Sequence, residues 1–133
     1  NVLAGPLRAE ISFFTDNSDN SIFIDGEDTL EVTVAGDGAL SSGWSKTNAY
    51  SSQASPLTIT PPSTELISMD DWRRELAKVY YKNINLSNFT PGNRKIRITL
   101  VYGDSSLNQT VGILKTIGSK NKVTVTPISW SNR

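Results

Sequence analysis

The sequence predicts an all-β fold, an antiparallel sandwich of two sheets with one short helix near residues 68–77. Several short stretches alternate apolar and polar residues with a period of two, which is typical of strands buried on one face. Clusters of Gly, Pro, Asn and Asp separate these stretches, as expected for strands joined by turns. A length of 133 residues matches one hydrophobic core, so we expect residues 1–133 to form a single domain.

Four stretches carry the alternation most clearly, at residues 7–14, 29–34, 95–102 and 122–126. In each of them the apolar side chains are expected to face the core, including Leu7 in the first and Val34 in the second. Shorter apolar stretches bounded by turn residues lie at 21–24, 56–60 and 109–117. The sequence therefore predicts seven or eight strands.

One segment has helical spacing instead. Ser68 is a candidate N-cap, and Asp71 stands three residues later, where its carboxylate completes the pattern of a capping box. Trp72, Leu76 and Val79 follow at helical spacing, so we expect these three side chains to face the core. A short helix is predicted here, leading into the next strand.

The composition excludes several classes of site. The chain has no histidine, which removes serine–histidine–acid triads, and no cysteine, which removes thiolate chemistry and disulfides. Thirteen basic and thirteen acidic residues cancel, so no nucleic-acid partner is expected, and no apolar run is long enough for membrane insertion. The chain begins at Asn1 instead of methionine, from which we expect a removed leader or a longer parent chain, and an extracellular location.

Residues 90–94 mark a corner between two predicted strands. Pro91 fixes the backbone angle φ and Gly92 permits a left-handed turn position, so together they return the chain antiparallel and set the register of the next strand. Arg94 precedes that strand, and its planar guanidinium is expected to reach back to loop carbonyls or to a carboxylate as a local clamp. The corner is therefore predicted to be structural.

The order of residues 57–117 resembles the second half of the cadherin-like repeats of large surface and secreted proteins. Those repeats run from an apolar strand through a short helix to a strand with Tyr and Asn, a corner with Pro, Gly and Arg, an alternating strand and an acidic turn. The residues at the matching positions are Leu57, Ile59, Leu76, Tyr81, Asn83, Pro91, Gly92, Arg94, Ile96, Ile98 and Asp104. The resemblance implies an immunoglobulin-like or cadherin-like sandwich in an adhesive or architectural extracellular protein.

The acidic stretch at residues 15–28 is a candidate calcium site, because calcium prefers several oxygen ligands. Its aspartates are Asp16, Asp19, Asp25 and Asp28. Their spacing does not match the helix–loop–helix calcium template, and Asp and Asn also form turns by bonding their own backbone. Two turns between strands are the favoured interpretation, no cofactor is expected to be required, and calcium remains the candidate ligand.

Three triplets match the acceptor pattern for N-linked glycans, at Asn85, Asn88 and Asn108. Pro91 directly follows the second triplet, which makes Asn88 a poorer acceptor. All three lie at predicted loops or strand edges, as expected for a secreted glycoprotein.

Trp44 and Tyr50 stand in a polar stretch at residues 37–56, which is predicted to be a surface loop or a weakly paired edge. Exposed rings there would stack on a sugar or anchor a protein contact. The alternative, that Trp44 folds over the end of the core, is favoured because large apolar rings usually bury. The two aromatics are nevertheless the candidate ligand-binding residues.

No catalytic residues are predicted. Asp70, Asp71 and Glu75 form the one cluster of carboxylates on a helical segment, and a capped helix start explains them more simply than acid–base catalysis does. The chain is therefore predicted not to be an enzyme.

The leading hypothesis is a non-enzymatic extracellular sandwich module for cell adhesion or assembly of a surface structure, whose partners are a protein, a glycan or copies of itself. One alternative is a filament or pilus subunit whose N-terminal strand, residues 7–14, completes a neighbour's sheet. A third hypothesis is a carbohydrate-binding module that uses Trp44.

Overall fold

A computed structural model of the chain describes residues 5–15, 18–47, 56–63, 67–85, 90–117 and 123–124. The strands are β1 Arg8–Phe14, β2 Asp28–Glu31, β3 Ser45–Thr47, β4 Leu57–Thr60, β5 Tyr80–Asn83, β6 Gly92–Val101, β7 Gln109–Ile117 and β8 Val123–Thr124. One helix, α1 Met69–Leu76, precedes β5, and a 3₁₀ turn at Ser105–Leu107 joins β6 to β7. The prediction of a β-rich chain with one short helix is confirmed.

The strands form two antiparallel sheets. The large sheet has the order β3-β4-β1-β6-β7, and the small sheet has the order β2-β5-β8. β1 lies at the centre of the large sheet, where Ile11 is paired with Leu57 on one side and with Ile98 on the other. In the small sheet, Leu30 of β2 is paired with Tyr81 of β5.

Both sheets contribute side chains to one hydrophobic core. The alternation in β1 and β6 buries every second residue, and Phe13 of the large sheet meets Tyr81 of the small sheet edge-on at 6.0 Å between ring centroids. Hydrophobic side chains with no exposed surface come from both sheets, from α1 and from the link between α1 and β5: Ala9, Ile11, Leu30, Leu57, Ile59, Trp72, Val79, Tyr81, Ile98 and Leu100. Burial of apolar surface at about 25 cal/mol per Å² makes this core the main source of stability.

The helix begins as predicted. The Ser68 hydroxyl accepts a hydrogen bond from the backbone N–H of Asp71 at 3.0 Å, and the Asp71 carboxylate accepts one from the Ser68 N–H at 3.0 Å. This reciprocal pair satisfies two backbone donors at the helix start. Trp72, Leu76 and Val79 are buried, which confirms the apolar face.

Three predictions about the strands are wrong, two for single residues and one for a short stretch. Val34 is 60% exposed, because β2 ends at Glu31 and the chain bends away three residues later. Leu7 is 41% exposed because it lies just before β1, although its N–H still donates to the Val101 carbonyl. Residues 21–24 form no strand, and Ser21 is paired with Asn93 in an isolated parallel bridge.

Within the described part of the stretch at 37–56, Ser45–Thr47 form β3, a three-residue strand at the edge of the large sheet, which agrees with the second of the two predicted alternatives, a weakly paired edge. The predicted strand at 109–117 matches β7, and the one at 122–126 is observed at Val123–Thr124 within the described residues.

Candidate functional site

The corner before β6 is built around Gly92, whose φ of +145° is a conformation that residues with a side chain rarely adopt. A Cβ atom at this position would lie 3.2 Å from Cδ1 of Ile22. The corner therefore packs tightly against the segment before β2. Glycine is required both by the positive φ and by this close contact.

Arg94 occupies the inside of this corner and has no exposed surface. Its Nε donates to Oδ2 of Asp28 at 2.8 Å, and its two terminal nitrogens donate to the carbonyls of Gly92 at 3.1 Å and Thr90 at 2.7 Å. The predicted clamp is confirmed, and it holds both loop carbonyls and a carboxylate. Lysine lacks the planar fork that these three bonds use.

Asp28 is the carboxylate that completes the clamp, and it is also fully buried. Besides Arg94, it accepts hydrogen bonds from the Tyr81 hydroxyl at 2.5 Å and from the Ile24 N–H at 2.8 Å. Burial, followed by the bond to Asp28, raises the pKa of Tyr81 far above its usual value. Tyr81 is therefore a fixed hydrogen-bond donor, which is a structural task.

Glu27 holds the other side of the corner in place through hydrogen bonds. Its carboxylate accepts bonds from the Thr90 N–H at 2.9 Å, the Thr90 hydroxyl at 2.9 Å and Nδ2 of Asn83 at 3.1 Å. Burial on its own would raise the pKa of Glu27, but these hydrogen bonds and the nearby positive charge of Arg94 outweigh it and lower the pKa. Glu27 is thus held as an anion.

We call this set the corner cluster, and its members are Glu27, Asp28, Tyr81, Asn83, Thr90 and Arg94. It joins three distant segments of the chain at the end of the small sheet. The carboxylates of Glu27 and Asp28 accept hydrogen bonds from within the chain, so the arrangement holds these segments together.

The aspartates of the acidic stretch are not gathered into one group. Asp28 belongs to the corner cluster, Asp19 forms an ion pair with Lys95 at 2.6 Å, Asp25 is exposed, and Asp16 lies outside the described residues. Over the described ranges, no three acidic side chains come together as a metal-binding group. Calcium binding stays a prediction, and the carboxylate of Asp28 already forms an ion pair with Arg94.

A third buried carboxylate, Glu75, links α1 to the loop before β3. It accepts hydrogen bonds from the N–H and the hydroxyl of Ser41, each at 2.8 Å, and forms ion pairs with Arg74 at 2.7 Å and Lys78 at 2.9 Å. Burial would raise the pKa of Glu75, but the Ser41, Arg74 and Lys78 contacts together lower it. Glu75 is a structural anion, as is the capping residue Asp71.

We expect the Glu75 contacts to make the free energy of unfolding depend on pH in the acidic range. A carboxyl group whose folded pKa is lowered stabilises the fold above its unfolded pKa, near 4.5, and this contribution is lost as pH falls through the folded pKa. In urea titrations, Glu75→Gln should therefore be less stable than the unmodified chain at pH 7 by about 1 to 3 kcal/mol. The difference in unfolding free energy between Glu75→Gln and the unmodified chain should become smaller below about pH 4. A difference that stays constant down to pH 3 would contradict this role.

The structure describes only one of the two candidate ligand-binding residues, Trp44 and Tyr50. Trp44 is only 9% exposed and meets Trp72 edge-on at 4.9 Å between centroids, so its ring belongs to the core. The loop turns sharply before it at Gly43, where a Cβ would come within 2.8 Å of Pro62. Tyr50 lies outside the described residues.

The candidate glycan acceptors also differ in their surroundings. Asn108 is exposed, and its side-chain oxygen accepts a hydrogen bond from the Tyr102 N–H at 2.8 Å, a bond that does not use the nitrogen to which a glycan attaches. Asn85 is half-buried, and its N–H donates to the side chain of Asn83. Asn88 lies outside the described residues. Of the two acceptors within the described residues, Asn108 is the more exposed.

The sequence alone did not indicate that the carboxylates of Glu27, Asp28 and Glu75 hold distant segments together. The signal that was available is Arg94 directly after the corner, which indicated loop carbonyls or a carboxylate as its partners but not which residues supply them.

In the described parts of the chain, no helix has the length and apolar character needed to cross a bilayer. Comparisons with family models, with curated proteins and with solved structures found no match to this chain.

Proposed function

We propose that the chain is a non-enzymatic β-sandwich module of an extracellular protein, which serves in adhesion or in the assembly of a surface structure. The observation that carries this proposal is the corner cluster, in which two buried carboxylates and a buried arginine are all used to hold loops in place. A protein that works by presenting rigid surfaces needs its loops held in place in this way. A catalyst, in contrast, needs ionisable groups that can reach a substrate.

The placement of β1 supports a self-contained module over a filament subunit. β1 is paired with β4 on one side and β6 on the other, all within its own chain. Donating this strand to a neighbour would remove the centre of the large sheet and expose Ile11 and Phe13. The burial of Trp44 likewise gives little support to a sugar-binding platform at that ring.

The proposal is tested by attachment and turnover assays on the whole chain. Beads coated with the chain are applied to separate layers of heparin, collagen and mixed cell-wall polysaccharide, and soluble chain is added as competitor. We expect saturable attachment to one of these layers and no turnover of ester, glycoside or peptide substrates. Turnover that is abolished by Asp71→Asn, or failure to attach to any layer, would count against the proposed function.

A further inference from the structure

The turn between β6 and β7 presents Asn108 at the surface of the molecule. The 3₁₀ turn is closed by hydrogen bonds from the Leu107 N–H to the Asp104 carbonyl at 3.0 Å and from the Asn108 N–H to the Ser105 carbonyl at 3.2 Å. Leu107 packs against the hydrophobic core and anchors the turn. Asn108 follows directly and is exposed, so its side chain is held in a defined place outside the core.

The side-chain amide of Asn108 is bound to the chain at its oxygen and not at its nitrogen. Oδ1 accepts a hydrogen bond from the Tyr102 N–H at 2.8 Å, whereas Nδ2 donates none to any of the described residues. A substituent on the nitrogen leaves the amide carbonyl in place as an acceptor. A group attached to Nδ2 is therefore compatible with the hydrogen bond that holds this side chain.

The rest of the turn leaves room for a bulky group. Gly103, Asp104, Ser105 and Ser106 are all exposed, and a Cβ atom on Gly103 would meet no other atom within 4 Å. The Asp104 carboxylate accepts hydrogen bonds from the N–H of Ser106 at 3.0 Å and from its hydroxyl at 2.7 Å. The shape of the turn is thus fixed by groups other than Nδ2 of Asn108.

Asn108 also begins the triplet Asn108-Gln109-Thr110, which matches the acceptor pattern for N-linked glycans. Thr110 is exposed, and its hydroxyl lies 3.0 Å from the hydroxyl of Thr99. Unlike the triplet at Asn88, this one is not followed by proline. The sequence pattern and the open surroundings therefore coincide at one residue.

The triplet at Asn85 has less favourable surroundings. Asn85 is half-buried, and its N–H donates to the side chain of Asn83, a member of the corner cluster, at 3.0 Å. A bulky group on Asn85 would lie beside the hydrogen bonds that hold the corner. Within the described residues, Asn108 is thus the better acceptor.

We propose that Asn108 carries an N-linked glycan. In the transfer, Nδ2 attacks the anomeric carbon of a sugar carried on a lipid diphosphate. The new N–C bond forms, the bond from that carbon to the diphosphate oxygen breaks, and a proton passes from Nδ2 to a base of the transferase as the lipid diphosphate leaves. The inference rests on the extracellular location in the proposed function, because such transfer accompanies secretion.

The test is expression of the full chain behind a secretion signal in animal cells, with analysis by mass spectrometry. A peptide N-glycosidase converts each glycosylated asparagine into aspartate, and water labelled with heavy oxygen marks that conversion in the peptide that covers residues 108–110. We expect the mark on Asn108 in more than half of the molecules. It should be lost in Thr110→Val, which keeps the asparagine but removes the hydroxyl of the triplet. The matched control is Ser105→Ala, which changes an exposed residue of the same turn outside the triplet and should keep the glycan.

A chain without the mark on Asn108 would overturn the inference, as would a mark that Thr110→Val leaves in place. Cells and medium are both analysed, because transfer takes place on entry into the secretory pathway and does not depend on release of the chain. Saturable attachment without the mark would count against the glycan alone. The mark on Asn108 without attachment to any layer would count against the proposed function alone.

Discussion

Replacing Arg94 with methionine should cost about 3 to 5 kcal/mol of folding free energy, because it leaves Asp28 as a buried charge without its partner. Both side chains have no exposed surface, so water cannot solvate the remaining carboxylate. The same change also removes the donors to the carbonyls of Thr90 and Gly92. Urea unfolding followed by tryptophan fluorescence measures the loss.

The matched control is Arg97→Met on the same strand. Arg97 is exposed, and its guanidinium lies 4.0 Å from the centroid of the Phe14 ring, a contact worth about 1 kcal/mol or less. Combining Arg94→Met with Asp28→Asn should cost less than the sum of the single changes, because the unpaired charge is removed as well. Equal losses for Arg94→Met and Arg97→Met, or strict additivity in the double variant, would contradict the clamp.

Replacing Trp72 with alanine should cost about 3 to 5 kcal/mol, because it empties the largest fully buried side-chain volume in the described core. The ring stabilises through packing, since its indole nitrogen has no hydrogen-bond partner within the described residues. It also supports Trp44 through their edge-on contact. Calorimetry and near-ultraviolet circular dichroism should report a lower melting temperature and a weaker aromatic signal.

Val34→Ala serves as the comparison for this second variant, because Val34 is 60% exposed and its truncation should change stability by no more than about 0.5 kcal/mol. A Trp72→Ala variant as stable as Val34→Ala would show that the core can collapse around the missing ring. Such a result would also mean that α1 does not depend on the Trp72 ring for its packing against the core.

Local patterns in the sequence predicted the elements well. Period-two alternation identified β1 and β6, and the Ser68–Asp71 pair identified the helix start, because each depends on neighbours along the chain. Val34 continues the alternation but is exposed, because the position where a strand leaves its sheet depends on the partner strand. Alternation alone carries no information about that partner.

The clamp was predictable only in part. Arg94 after a Pro-Gly corner indicated some acceptor, but Asp28 lies 66 residues earlier, and its sequence context favours a turn residue, with a metal ligand as the alternative. Likewise, Glu75 lies on a helix whose acidic start suggested solvation, and its bond to Ser41 spans 34 residues. Such pairings depend on how the sheets come together, which no local spacing encodes.

The wide sequence separation within the corner cluster bears on the order of folding. Asp28 and Arg94 meet only after the intervening chain has closed a long loop, and that closure costs conformational entropy before any contact compensates for it. β6 and β7, in contrast, adjoin along the chain and pair through a short connection. We therefore expect the β6–β7 hairpin to form early and the Asp28–Arg94 ion pair to close late, so that the ion pair mainly slows unfolding of the completed molecule.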